Sequence, residues 1–164
     1  MIVFISGQGG SGKTTLVKYF ENNPVDNWLF FDFDEGAVEK PDTTDMEKLA
    51  VWVKAQRENW LKEVRSEKYA GKNICLFGVG LFPWKVGFPD DVKYAYLSVD
   101  QNLRKDRLID RGDPHLYEAY QKDINDIVKR LDEAGAKKFD NSNRPIDQTA
   151  EEIKDWLNKL IKEN

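Results

Sequence analysis

Gly7-Gln8-Gly9-Gly10-Ser11-Gly12-Lys13-Thr14 follows directly on Ile2-Val3-Phe4-Ile5, a short β-branched and aromatic run. Such a run, closed by Ser6-Gly7, predicts a strand of a parallel sheet buried on both faces. A helix is predicted immediately behind the glycines, from about Lys13 to Glu21. The eight residues match G-x-x-x-x-G-K-[ST], and strand, glycine loop and helix start form the context in which that spacing has a mechanism. Gly9, Gly10 and Gly12 carry no side chains, so the backbone N–H groups of this loop, Ser11 included, can converge on phosphate. The helix N-terminus adds positive dipole.

Phosphate binding by such a loop implies a nucleoside triphosphate, with MgATP the expected ligand. Lys13 is placed to bridge the β- and γ-phosphates as a mobile cation, and the Thr14 hydroxyl to ligate Mg²⁺, with Thr15 near the α-phosphate. The metal also calls for an acid at the end of an apolar strand, and three runs compete. The run ending at Phe77 leads into Gly78-Val79-Gly80 and carries no acid. Tyr96-Leu97-Ser98-Val99-Asp100 ends in one, but Asp100 reads as the N-cap of a following helix. Phe30-Phe31-Asp32-Phe33-Asp34 offers two carboxylates two residues apart, on one side of an extended chain. Asp32 is therefore expected nearer the metal and Asp34 nearer an acceptor hydroxyl, as orienting group or general base; a solvated acidic loop is the competing reading.

Outward from the loop, strand candidates recur at Trp28 to Phe31, Asn73 to Phe77, Tyr94 to Val99 and Lys137 to Phe139. Helix candidates lie between and after them: a long amphipathic stretch opened by Thr44 with Glu47 and stopped at Gly71, then Asn102 to Asp110, His115 to Glu133, and Thr149 to Ile161, opened by Thr149 with Glu152. Alternation of this kind means crossover connections and a parallel sheet of about five strands with helices on both faces. Gly78 to Asp91, rich in glycine, proline and aromatics, is a candidate substrate loop.

With 164 residues and 40% hydrophobic content, the chain fits one domain, 1–164, with apolar residues enough for a core. A net charge of −4 argues against a nucleic-acid or anionic-membrane surface. The single cysteine, Cys75, excludes an intramolecular disulfide and reads as a buried thiol. No cationic leader and no apolar run of about 18 residues is present, which points to a cytoplasmic protein. His115 has no partner in the sequence for a nucleophile pair or a multi-histidine metal site and reads as structural.

The glycine loop, the Asp-x-Asp and the order of helices resemble the small P-loop kinases of the nucleoside monophosphate kinase-like group, which includes shikimate, gluconate and nucleoside kinases. The resemblance implies a three-layer P-loop NTPase fold with sheet order 2-3-1-4-5, an acceptor-binding region at about 34–71 and a short lid at about 104–118. It implies that Arg111 packs on adenine or reaches phosphate and that Arg107 neutralises charge on the transferred group, although a solvated helix with Arg–Asp pairs would look the same. Asp140 to Pro145 takes the position of a base-contacting loop. Gly78-Val79-Gly80 and Lys85 stand where acceptor signatures of the group are fuller, and Arg57, Phe82, Trp84 and Phe88 are weaker acceptor candidates. The expected activity is transfer of the γ-phosphoryl group of ATP to a small molecule such as a nucleoside, a nucleotide, or a shikimate-like or sugar acid, by a monomer or homodimer. The alternative is an ATP-dependent binding or switch protein with no small-molecule acceptor.

Overall fold

Five strands pair in parallel in the order β2-β3-β1-β4-β5: β1 (Ile2–Ser6), β2 (Trp28–Asp32), β3 (Asn73–Gly78), β4 (Val92–Ser98) and β5 (Lys137–Asp140). The computed structural model describes residues 1–36, 38–42, 44–79, 90–121 and 124–163. Register sets Ser6 beside Gly78 and Tyr96, so the loops after β1, β3 and β4 leave the sheet at one edge.

Side chains alternate along each strand, and the alternation sorts the core into layers. Val3, Ile5, Cys75, Phe77 and Leu97 point to one face, where Leu16, Val17 and Phe20 of α1 (Lys13–Asn22) and Ile153 and Leu157 of α6 (Ile146–Lys162) cover them. Ile2, Phe4, Ile74, Leu76 and Tyr94 point to the other, against Leu49, Trp52 and Trp60 of α2 (Met46–Glu63). Tyr96 on that second face meets Leu131 of α5 (Ile124–Glu133). Cys75 is fully buried, and burial pushes its thiol well above the ordinary value, as a structural cysteine requires.

The strands and helix order match the sequence expectation, and the differences lie at helix ends. Thr44 does not cap α2: its N–H and hydroxyl both donate to Asp42 Oδ1, at 2.9 Å each, while Asp45 Oδ1 accepts from Lys48 N at 3.0 Å. A carboxylate one residue nearer the first turn is the stronger acceptor for the orphan N–H groups. The helix ends at Glu63, and Gly71, at φ +76°, closes a separate turn behind a short 3-10 turn at Glu67–Tyr69. α6 begins at Ile146 behind Pro145, so Thr149 sits inside the helix, buried, and uses its hydroxyl for a tertiary contact. The stretch expected as one helix from His115 is described as α4 (His115–Gln121) and α5, on either side of two residues outside the described set. α3 (Gln101–Asp110) begins as expected, with Asp100 Oδ1 accepting from Asn102 N at 2.9 Å and Leu103 N at 3.1 Å. Among the described residues, no helix is long and apolar enough to cross a membrane.

Candidate functional site

The glycine loop turns from β1 into α1 through two left-handed residues, Gly10 at φ +83° and Gly12 at φ +96°. At Gly12 a Cβ would stand 2.4 Å from Asn141 Nδ2, so only glycine fits both the backbone and its neighbour. Gly7 N donates to Gly78 O at 3.2 Å and Ser11 N to Gln8 O at 3.1 Å. Among the described residues, no intramolecular hydrogen bond uses the N–H of Gly9, Gly10, Gly12, Lys13 or Thr14. Five unclaimed donors at a helix N-terminus are what an anion with several oxygens requires, so the residues fit a polyphosphate.

Lys13 is buried and its Nζ donates to Gln8 O at 2.9 Å. Burial lowers its pKa to about 8, against the opposing pull of Asp32 and Asp34. Thr14 Oγ1 donates to Asp32 Oδ2 at 2.7 Å, and the other oxygen of that carboxylate accepts from Asp34 N at 3.0 Å. Asp32 is thereby buried at the end of β2 and fixed at both oxygens, capping the 3-10 turn Phe33–Glu35. A hydroxyl and a carboxylate side by side make an oxygen-only donor pair. Among the described residues no group of three or more His, Cys, Asp or Glu could hold a metal by itself. That combination suits Mg²⁺, which takes one or two protein ligands and completes its shell with phosphates and water.

Asp34 is exposed, lines the same cavity as this pair and forms an ion pair with Lys40. The segment that carries both acids is pinned by α2. Gln56 Nε2 and Trp60 Nε1 donate to Phe33 O at 2.8 and 3.1 Å, and Trp52 Nε1 donates to Val38 O at 2.9 Å. Residues 52, 56 and 60 recur every four positions, so one stripe of α2 supplies all three donors. The amphipathic helix was legible in the sequence, but Trp52 and Gln56 as donors were not.

Two cavities flank the loop. One cavity is lined by Gly10, Gly12, Thr15, Arg107, Asn141, Arg144 and Ile146; the other by Gly9, Asp32, Asp34, Lys40, Trp52 and Leu116 among others. Lys13, Thr14 and Arg111 line both. Arg107 Nη1 donates to Gly10 O at 3.2 Å, and Arg111 Nε pairs with Asp113 Oδ2 at 2.7 Å. Of the glycine loop from Gly9 to Thr15, the two acids Asp32 and Asp34, and Arg107 and Arg111, every residue faces one cavity or both except Ser11, which is buried in the loop. Asp100 is a helix cap and Arg57 lines neither cavity, whereas Phe82, Trp84, Lys85 and Phe88 lie outside the described residues.

The sequence did not show what lies behind the loop. Arg104, fully buried, donates from Nε to Gly9 O at 3.0 Å, and Asn141 Nδ2 donates to Ser11 O at 2.8 Å. A chain of bonds fixes the Asn141 amide: Arg144 Nε donates to Thr149 Oγ1 at 3.0 Å, and that hydroxyl donates to Asn141 Oδ1 at 2.9 Å. Because arginine can only donate, the order of the chain turns the Asn141 amine toward the loop. The available signal for Arg104 was its place four residues before Leu108, on the buried stripe of α3.

No family model and no curated protein matches the sequence. Solved structures do match. A deoxyadenosine kinase from M. mycoides, with the products dCMP and a flexible dCDP bound, gives a TM-score of 0.65 at 17% identity, over 97% of this chain and 100% of that one. A gluconokinase from Sinorhizobium meliloti gives 0.63 at 14% identity, over 98% of this chain and 93% of the other. Shikimate kinase from Acinetobacter baumannii, in complex with shikimate, gives 0.59 at 18% identity, over 99% and 93%. The chain has the fold of the small P-loop kinases. Its 2-3-1-4-5 sheet, flanked by helices, is the order that the resemblance implied.

Proposed function

We propose that this protein is a kinase that moves the γ-phosphoryl group of MgATP to a hydroxyl of a small molecule. The observation that carries this reading is the shared wall: Lys13, Thr14 and Arg111 line both cavities, of which the one beside Gly10 and Gly12 is taken as the donor cavity and the one beside Asp32 and Asp34 as the acceptor cavity. A group that passes from one cavity to the other meets the same cations on both sides, which is the arrangement phosphoryl transfer needs. The kinase neighbours, which span nucleoside, gluconate and shikimate acceptors, agree with it.

In this reading the loop N–H groups hold the β-phosphate, and Lys13 follows the γ-phosphoryl group as charge shifts toward the leaving oxygen. Thr14 and Asp32 would hold Mg²⁺, which would supply positive charge to the phosphates. An acceptor hydroxyl oxygen bonds to the γ-phosphorus, the bond to the β–γ bridging oxygen breaks, and the hydroxyl proton passes to Asp34. Asp34 gives up Lys40 for the acceptor, and Arg111 and Arg107 stabilise the transferred group from the α3 side. One Arg107 donor rests on Gly10 O, leaving the rest of its guanidinium for phosphate oxygens. Residues 104–118 act as a lid and 34–71 as the acceptor-binding region.

The test is ADP formation from MgATP with a panel of nucleosides, nucleotides, sugar acids and shikimate-like acids. We expect at least one acceptor to stimulate ADP formation, and Asp34→Asn to lose that stimulation while retaining MgATP affinity. Tight MgATP binding with no stimulation by any acceptor would favour a nucleotide-dependent binding protein instead.

A further inference from the structure

Three consecutive carbonyls of the phosphate loop are held by side chains, Gly9 O from behind by Arg104 Nε at 3.0 Å, and Gly10 O by Arg107 Nη1 at 3.2 Å and Ser11 O by Asn141 Nδ2 at 2.8 Å from two residues that also line the donor cavity. Peptide groups are planar and trans, so a C=O turned one way sends the N–H of the following residue the other way. Holding Gly9 O therefore points Gly10 N–H away from Arg104, and holding Ser11 O points Gly12 N–H away from Asn141. Between them, Ser11 N–H is closed off by Gln8 O at 3.1 Å. Gly10 and Gly12 both line the donor cavity, and their N–H groups have no acceptor among the described residues.

We infer that Arg104 and Asn141 are positioning residues for the donor phosphates, acting through the carbonyls of Gly9 and Ser11 to aim the amides of Gly10 and Gly12. The inference rests on the proposed reading of the loop as a triphosphate site. Arg104 lines neither cavity and is fully buried, so it acts from behind the loop rather than on the ligand. Its guanidinium also reaches Gln101 Oε1 at 3.1 Å and Leu116 O at 3.3 Å, and it lies over the Tyr117 ring with 4.9 Å to the centroid. Leu116 lines the acceptor cavity, so one side chain fixes the glycine loop against an acceptor wall. Only the planar fork of arginine serves Gly9 and Leu116 together; a lysine point charge serves one. On the other side Asn141 is locked by Thr149 and, through it, Arg144 and Glu152.

The measurement is equilibrium binding of MgATP and of inorganic tripolyphosphate to wild type, Arg104→Met, Arg104→Lys and Asn141→Ala, beside thermal melts. Leu157→Ala, in the core of α6, serves as a destabilised control. Misaimed donors forfeit charge-assisted bonds to phosphate, so Arg104→Met and Asn141→Ala should each weaken both ligands about tenfold or more. Arg104→Lys should fall between, and Leu157→Ala should melt early with wild-type affinity. Should Arg104→Met fail to fold, Arg104→Lys and Asn141→Ala decide the matter. Folded variants that bind both ligands as tightly as wild type would overturn the inference, as would losses no larger than that of the control. A wild type that binds neither ligand would instead overturn the triphosphate reading itself.

Discussion

Lys13→Met should stabilise the free protein at neutral pH while abolishing MgATP binding. In the folded chain burial lowers the Lys13 pKa to about 8, against an ordinary 10.5. A lysine whose folded pKa lies below its unfolded one penalises the native state at every pH below the folded value, and the penalty fades as pH rises toward the unfolded value. At about 1.36 kcal/mol per unit, the penalty is about 3 kcal/mol near pH 7 and falls by about 2 kcal/mol by pH 9.5. Methionine removes the charge but also the bond from Nζ to Gln8 O, which returns about 1 kcal/mol. Net stabilisation of about 2 kcal/mol near pH 7 is expected, shrinking to near zero or below at pH 9.5. Urea unfolding of both proteins at the two pH values, free of nucleotide and metal, reads the difference directly. Groups that titrate equally in both proteins cancel. A variant no more stable than wild type at pH 7, or a gain that does not shrink at pH 9.5, would refute the view of Lys13 as a strained cation held ready for phosphate.

Further outcomes follow from the geometry around the loop. Asp32→Asn removes the carboxylate that Thr14 donates to, and MgATP affinity should drop about 10- to 100-fold while metal-free ATP binding changes little, as isothermal titration with and without Mg²⁺ would report. Gln56→Ala leaves a cavity and strips partners from Phe33 O and Val38 N, costing roughly 2 to 4 kcal/mol in urea unfolding. The same change should raise KM for the acceptor more than KM for ATP, because it loosens only the 33–38 segment. Arg111→Ala, on the wall shared by the cavities, should lower kcat by about 10²- to 10³-fold with a smaller effect on MgATP affinity in steady-state and binding assays.

What could be read from the sequence was local or periodic. Gly7 to Thr14 fixes its own strand, turn and helix within a few residues, and Asp32 announces itself by closing an apolar run. Thr44 and Thr149 misled because a capping motif describes a local option, and the chain had better ones: Asp45 offered a carboxylate nearer the orphan N–H groups, while Pro145 started α6 a turn early and freed Thr149 for Asn141. Arg104 and Asn141 were out of reach for a different reason. Their bonds to Gly9 and Ser11 span 95 and 130 residues of sequence, and nothing periodic links the two ends. Lys40 stood in an unpatterned stretch, and no periodicity links it to Asp34 across the six positions that separate them.

The central claim is that Lys13, Thr14 and Arg111 form the boundary across which a phosphoryl group passes. Incubation of the protein with Mg²⁺, ATP labelled at the γ-phosphate and the acceptor panel, followed by separation of products, tests it most directly. Transfer predicts the label in a phosphorylated small molecule, a phosphate ester for a hydroxyl acceptor or a phosphoanhydride for a nucleotide, with ADP formed in equal amount and none of it in the Lys13→Ala variant. Label that stays in ATP with every acceptor, or that leaves only as inorganic phosphate, would contradict the account.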